Sequence, residues 1–148
     1  MAKTFKRDTF LIDTGVLYAL ADRKDKWHSR ASAFLAGFTG RLLVTSTVMP
    51  ETCYLLNTYL GLSAEMAFVR AVINREIVLE QVTTADLARA VEVMNTYADA
   101  NIGMVDASIV AVAERLNTTN ILTVDRRHFA MIKPGHCNGF QLFPQEPK

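Results

Sequence analysis

Four acidic residues, Asp13, Glu51, Asp106 and Asp125, each stand where an apolar stretch meets the start of a helical pattern. A carboxylate near a core is costly unless something neutralises it, and a shared divalent cation is one such agent. Phe10-Leu11-Ile12 runs into Asp13 and then Thr14-Gly15-Val16-Leu17, while Ile121-Leu122-Thr123-Val124 runs into Asp125 and then Arg126-Arg127-His128-Phe129. In an open parallel sheet the strand ends converge on one crevice, where side chains distant in sequence meet. The four together predict a carboxylate-lined pocket for Mg²⁺ or Mn²⁺, hard cations that take oxygen ligands.

Each acid also has a simpler explanation. Asp13 and Asp125 have the setting of helix N-caps. Glu51 lies in a predicted first turn, where the helix dipole favours an acid. Asp106, among Val105, Ala107, Ile109 and Val110, is hardest to explain singly, because Asp suits neither a helix interior nor a core. It is the joint placement that favours a metal pocket.

The elements that must position these acids alternate. Thr9 to Ile12 reads as a buried strand and Val16 to Ala21 as the start of a helix. Trp27, Ala31, Phe34, Leu35 and Phe38 give Lys24 to Phe38 an amphipathic helical pattern. Leu42 to Val44 is a second strand. Ser46 or Thr47 then caps a helix with Pro50 in its first turn, running to Leu60, and Ser63 caps another. Ile77 to Val82 is a third strand, and Thr83-Thr84-Ala85-Asp86 supplies capping chemistry for a helix to Tyr97. An apolar helix spans Val105 to Leu116, Asn120 to Val124 is a fourth strand, and Phe140 to Phe143 a fifth at the edge. This order predicts a three-layer α/β/α sandwich around a short, mainly parallel sheet. At 148 residues it is expected to be one domain, with 144–148 an extended tail.

With 50% hydrophobic and 21% charged residues, the composition excludes a disordered chain. The formal charge of +1 hides an asymmetry if the acids share one pocket: the remaining surface is then net basic, which suits a polyanionic substrate. Cys53 and Cys137 are too few for a disulfide framework and read as reduced thiols, and His136 beside Cys137 lacks the further ligands of a zinc site. No secretory leader and no stretch approaching the roughly 20 apolar residues of a membrane span is apparent, so a cytoplasmic chain with no membrane partner is expected.

Phe10-Leu11-Ile12-Asp13-Thr14-Gly15-Val16-Leu17, Pro50-Glu51-Thr52, Gly103-Met104-Val105-Asp106-Ala107-Ser108-Ile109-Val110-Ala111 and Thr123-Val124-Asp125-Arg126-Arg127-His128-Phe129 together resemble the PIN domain, specifically the VapC-type toxin ribonucleases. The resemblance spans nearly the whole chain. It implies that Asp13, Glu51, Asp106 and Asp125 bind Mg²⁺ or Mn²⁺ in one catalytic pocket, with Asp99 a possible fifth acid. The implied activity is metal-dependent endoribonucleolytic hydrolysis of RNA, with no protein nucleophile. Thr14, Ser108 and Thr123 are short hydroxyl residues that could orient a carboxylate or a water, and Arg126 and Arg127 could contact RNA phosphates. In the resembling motif His128 reads as structural, against Phe129. The implied partners are a VapB-type antitoxin and a second copy of the chain. Candidate contacts are Tyr54, Tyr59, Leu60 and Met66, for which the intramolecular core is the stronger expectation.

Other readings remain open on the residues alone. A free-standing PIN nuclease of RNA processing and a catalytically silent RNA-binding module share the same motifs. Leu11-Ile12-Asp13-Thr14-Gly15 also resembles the active-site triplet of aspartic proteases, although Val16 and the helical content speak against it. A receiver-like regulatory domain would need an acidic pair after the first strand, and Asp8 precedes that strand.

Overall fold

A computed structural model of the chain describes residues 8–145. Strand β1 (Thr9–Ile12) leads into α1 (Thr14–Ala21) and α2 (His28–Ala36), and β2 (Arg41–Thr45) into α3 (Val48–Leu60) and α4 (Leu62–Ile73). Strand β3 (Val78–Glu80) is followed by α5 (Thr84–Thr96), a 3-10 turn (Ala98–Ala100) and α6 (Met104–Leu116). Strand β4 (Asn120–Leu122), α7 (Arg126–Met131) and the edge strand β5 (Gln141–Phe143) complete the order. All strand pairs are parallel, in the order β3-β2-β1-β4-β5. The expected parallel α/β/α sandwich is therefore the observed one, including its fifth strand at the edge.

The strand order decides where a site can form. From β1 the chain builds outward to β2 and β3, then returns across the sheet to place β4 on the other side of β1. Right-handed crossovers put α1–α4 on one face and α5–α7 on the opposite face. Side-chain packing follows that division: α1 contacts α2 and α3, α3 contacts α4, and α5 lies along α6. The direction reverses between β1 and β4, and the crevice beyond their carboxyl ends opens there. Leu11, paired with Leu43 on one side and Ile121 on the other, is fully buried at this centre. Helix α6 adds an unbroken buried run from Ala107 to Ala113.

Several local expectations shift. The helix expected from Lys24 begins only at His28, because Asp22 and Asp25 accept from the backbone N–H groups of Lys24 and Trp27 and hold the chain in turns. Ser46 caps no helix; its hydroxyl accepts from Val82 N–H, and Thr47 occupies the N-cap of α3 without a side-chain cap bond. Ser63 lies inside α4, which starts from Gly61 at φ 99°, a left-handed angle that glycine tolerates. The Thr83/Asp86 capping box forms as expected. Of the expected extended tail, Glu146, Pro147 and Lys148 lie outside the described residues.

Gly15 is where the fold tolerates no side chain beside the acids. A Cβ there would lie 2.3 Å from Val124 Cγ2. Because β-branched valine is restricted at χ1, relief requires Val124 to change rotamer or the β4–α7 connection that carries Asp125 to move. Gly15→Ala is expected to cost about 1–3 kcal/mol in urea unfolding, without loss of secondary structure.

Candidate metal centre

Asp13 emerges from β1, and its backbone N–H donates to Leu122 O at 2.9 Å, tying it to the end of β4. It caps α1: one carboxylate oxygen accepts from Thr14 N–H at 2.8 Å, and the other accepts from the Thr123 hydroxyl at 3.2 Å. The same Thr123 hydroxyl accepts from Asp125 N–H at 2.9 Å. One buried hydroxyl thus sets both strand-end acids.

Asp125 occupies the N-cap position of α7, yet its side chain makes no cap hydrogen bond. The capping explanation therefore fails for it. Asp106 lies in the first turn of α6, not in its interior, so the dipole explanation available to Glu51 in α3 applies to Asp106 as well. The two helices approach from opposite faces of the sheet. Asp13, Glu51, Asp106 and Asp125 all line one open pocket of about 520 Å³, with Gly15, Val105 and Val124 among its walls.

The supporting residues divide. Ser108 is fully buried, and its hydroxyl donates to Val105 O and meets Thr47 Oγ1, both at 2.7 Å; Thr47 in turn meets Thr45 at 2.9 Å. This hydroxyl chain fixes the first turn of α6 against the start of α3, and with them Asp106 against Glu51. Thr14 contributes through its backbone, while its hydroxyl lies 3.4 Å from Thr52. Asp99 is exposed on the 3-10 turn and is not among the residues lining the pocket. Arg126 points its guanidinium at the Leu142 and Pro144 carbonyls and over the Trp27 ring at 5.8 Å, so it fastens α7 to the sheet edge. Arg127 is exposed.

His128 corrects the sequence reading. Beside the buried Phe129, it turns toward the acids: Nδ1 lies 3.1 Å from Asp106 Oδ2 and 3.3 Å from Asp125 Oδ2. Its signal was available, since position 128 falls three residues after Asp125 on one helix and thus on the same face. His136 lies apart, bonded to Thr118 O.

Burial is the main force on the carboxyls. It pushes Asp13 up from 3.8 to about 7; the Asp106 and Glu51 charges push the same way, while the Thr14 N–H and Thr123 hydroxyl oppose. Asp106 is also raised, first by burial and then by the charge of Asp125, against the hydrogen bond from His128. Among the described residues neither Asp13 nor Asp106 forms an ion pair with Lys or Arg. Four carboxylates around one open pocket, an imidazole against two of them and burial raising Asp13 suit a divalent ion. Asp106, Asp125 and His128 place donor atoms within 4.8 Å of one another.

The model of the PIN domain family matches residues 10–133. The chain belongs to the PIN-domain family. It is 33% identical over 134 residues to ribonuclease VapC26 of Mycobacterium tuberculosis, covering 90% of this chain and 99% of that one. The VapC20 toxin of the same organism, described as cleaving the sarcin-ricin loop, superposes with a TM-score of 0.75 at 24% identity, over 80% of this chain and 91% of that one. VapBC2 of Rickettsia felis, bound to promoter DNA, gives 0.67 at 14% identity, over 92% and 99%. The parallel sheet removes the aspartic-protease reading, and its strand order differs from the 2-1-3-4-5 of receiver-like folds.

The raised Asp13 has a thermodynamic consequence. Below pH 3.8 the folded and unfolded chains both hold its proton; from there to about 7 only the folded chain does, so stability falls with rising pH. At about 1.4 kcal/mol per pH unit the full loss approaches roughly 4 kcal/mol above pH 7. Metal-free wild type should therefore lose stability relative to Asp13→Asn between pH 4 and 7, in urea titrations across that range. Saturating Mn²⁺ at pH 7.5 should restore it. Parallel pH profiles for the two proteins would overturn the shift.

Proposed function

We propose that this chain is a divalent-metal-dependent endoribonuclease, the toxin of a VapBC-type pair working in the cytoplasm. The observation that carries this is the meeting of Asp13, Glu51, Asp106 and Asp125 at one pocket, where the sheet reverses, in a chain 33% identical to a VapC ribonuclease. Mg²⁺ or Mn²⁺ bound there would activate the attacking water and offset charge gathering on the scissile phosphate. Asp13, Asp106, Glu51 and Asp125, which line the one pocket, would hold the ion. Thr123 keeps the Asp13 carboxylate and the Asp125 backbone in register. Among the described residues the pocket's lining includes Thr14 but no Ser, Cys or Lys, in keeping with direct attack by water on the phosphodiester. Arg127, exposed at the start of α7, is the cation placed to meet an RNA phosphate; Arg126 serves the fold.

The opposite flank supports the partner. Tyr54, Tyr59 and Ile73, each about two-thirds exposed, and Met66 project from α3 and α4, so the expectation of an intramolecular core fails for the tyrosines and Met66; Leu60 does pack on the core. Beside them an apolar groove of about 380 Å³ runs between α1, α3 and α4, lined by Leu17, Leu20, Leu56 and Phe68. An antitoxin segment or a second copy of the chain would cover this surface. Among the described residues no helix is long and apolar enough to cross a membrane.

Asp13→Asn and Asp106→Asn should each lower Mn²⁺-dependent cleavage of RNA by more than about 100-fold with circular dichroism unchanged, because each removes a ligand charge. Expression of wild type alone should arrest growth, and Asp106→Asn should relieve the arrest. Full cleavage activity in either variant would overturn the assignment.

A further inference from the structure

We infer that His128 is itself a ligand of the ion, giving a mixed site of imidazole nitrogen and the Asp106 and Asp125 carboxylates; this rests on the metal-dependent reading above. Three observations lead there. First, a single imidazole nitrogen, Nδ1, faces two carboxylate oxygens, Asp106 Oδ2 at 3.1 Å and Asp125 Oδ2 at 3.3 Å. One N–H cannot point along two bonds: 3.1 Å to Asp106 is an ordinary N–H···O distance while 3.3 Å to Asp125 lies beyond the usual range, so a single N–H does not account for both separations. They do suit neighbouring donors of an octahedral ion: at metal–ligand distances of about 2.1 Å, adjacent ligands stand about 3 Å apart.

Second, the donors come from different elements, each fixed independently. Asp106 is held by α6, whose first turn the Ser108 hydroxyl locks to Val105 O and Thr47. Asp125 is held through its N–H on Thr123. His128 is held by α7, which Phe129 anchors in the core and Arg126 staples to the Leu142 and Pro144 carbonyls. Arg126 is thus a positioning residue for the nitrogen donor. Third, the Asp125 side chain, half-exposed at a helix N-terminus, forgoes the cap bond open to it and lies against His128 instead.

A nitrogen donor changes which ion the site prefers. Mg²⁺ is held almost wholly by oxygen, whereas first-row ions accept a nitrogen donor, least strongly at Mn²⁺ and increasingly along the series. Removing His128 should therefore weaken Mn²⁺ more than Mg²⁺.

Mn²⁺ bound to the full-length wild-type protein should show a directly coordinated ¹⁴N in pulsed electron paramagnetic resonance, and His128→Gln should abolish that coupling. In calorimetric titrations His128→Gln should lower Mn²⁺ affinity about tenfold or more while Mg²⁺ affinity changes less than about threefold. Mn²⁺ bound without nitrogen coupling, or an equal loss for both ions, would overturn the inference even if RNA cleavage and its dependence on Asp13 persist. No Mn²⁺ binding at all would sink it together with the functional reading. The wild-type spectrum decides the matter even if His128→Gln fails to fold.

Discussion

The rest of the site depends on the enclosure of the Asp13 carboxylate at the end of the central strand. Burial pushes its pKa to about 7, and the nearby acids push it further the same way. A lone N–H from Thr14 and one hydroxyl from Thr123 are too little compensation for a buried charge, since hydrogen bonds offset only part of the desolvation cost. The chain therefore carries a built-in demand for positive charge at this point. Asp13 cannot drift outward to satisfy it from water, because its own N–H is tied to Leu122 O in the sheet.

Topology brings the remaining acids to that demand. Strand order reverses between β1 and β4, so the two strand-end acids are neighbours, and the helices covering the two faces each contribute one more from a first turn. Helix dipoles make both first turns tolerant of acids, which lowers the cost of gathering like charges. The Thr45–Thr47–Ser108 hydroxyl chain ties the start of α3 to the start of α6, so the spacing across the pocket does not rely on the carboxylates themselves. A site built from mutually repelling groups has to be held by something else, and here it is held by small hydroxyls buried behind it.

Much of this was legible in the residues. The strand–helix alternation, the fifth strand and the four acids follow from periodicity, cap chemistry and motif resemblance, all carried by short-range pattern. What failed was set by contacts that pattern does not encode. The helical pattern starts at Lys24, and only the bonds of Asp22 and Asp25 to backbone N–H groups show that it is delayed to His28. Arg126 looks like a phosphate contact, but its partners are carbonyls some 16 and 18 residues away at the sheet edge. His128 reads as structural from the resembling motif, yet its Nδ1 faces Asp106 and Asp125. Tyr54 and Tyr59 are apolar enough for a core, and only the packing of α3 on α1 and α4 leaves them outside.

A comparison within the chain shows what the pocket lacks. Asp86 exposes as little surface as Asp13 but lies at a shallower depth, and its pKa is lowered although burial acts on it in the opposite sense. Besides the shallower position it has company: the Arg115 guanidinium donates to both of its oxygens, at 3.0 and 3.2 Å, and the capping box with Thr83 supplies a backbone N–H. Glu114 is likewise lowered, gripped by Arg89 and by Gly135 N–H. The fold thus provides arginines for the acids that hold α5 to α6. It provides none to Asp13 or Asp106 among the described residues, and it turns Arg126, next to Asp125 in the chain, toward the sheet edge. An acid left uncompensated beside others that are compensated so fully is an acid reserved for a charge from outside, and a divalent ion, unlike an arginine, can also carry water to a phosphate.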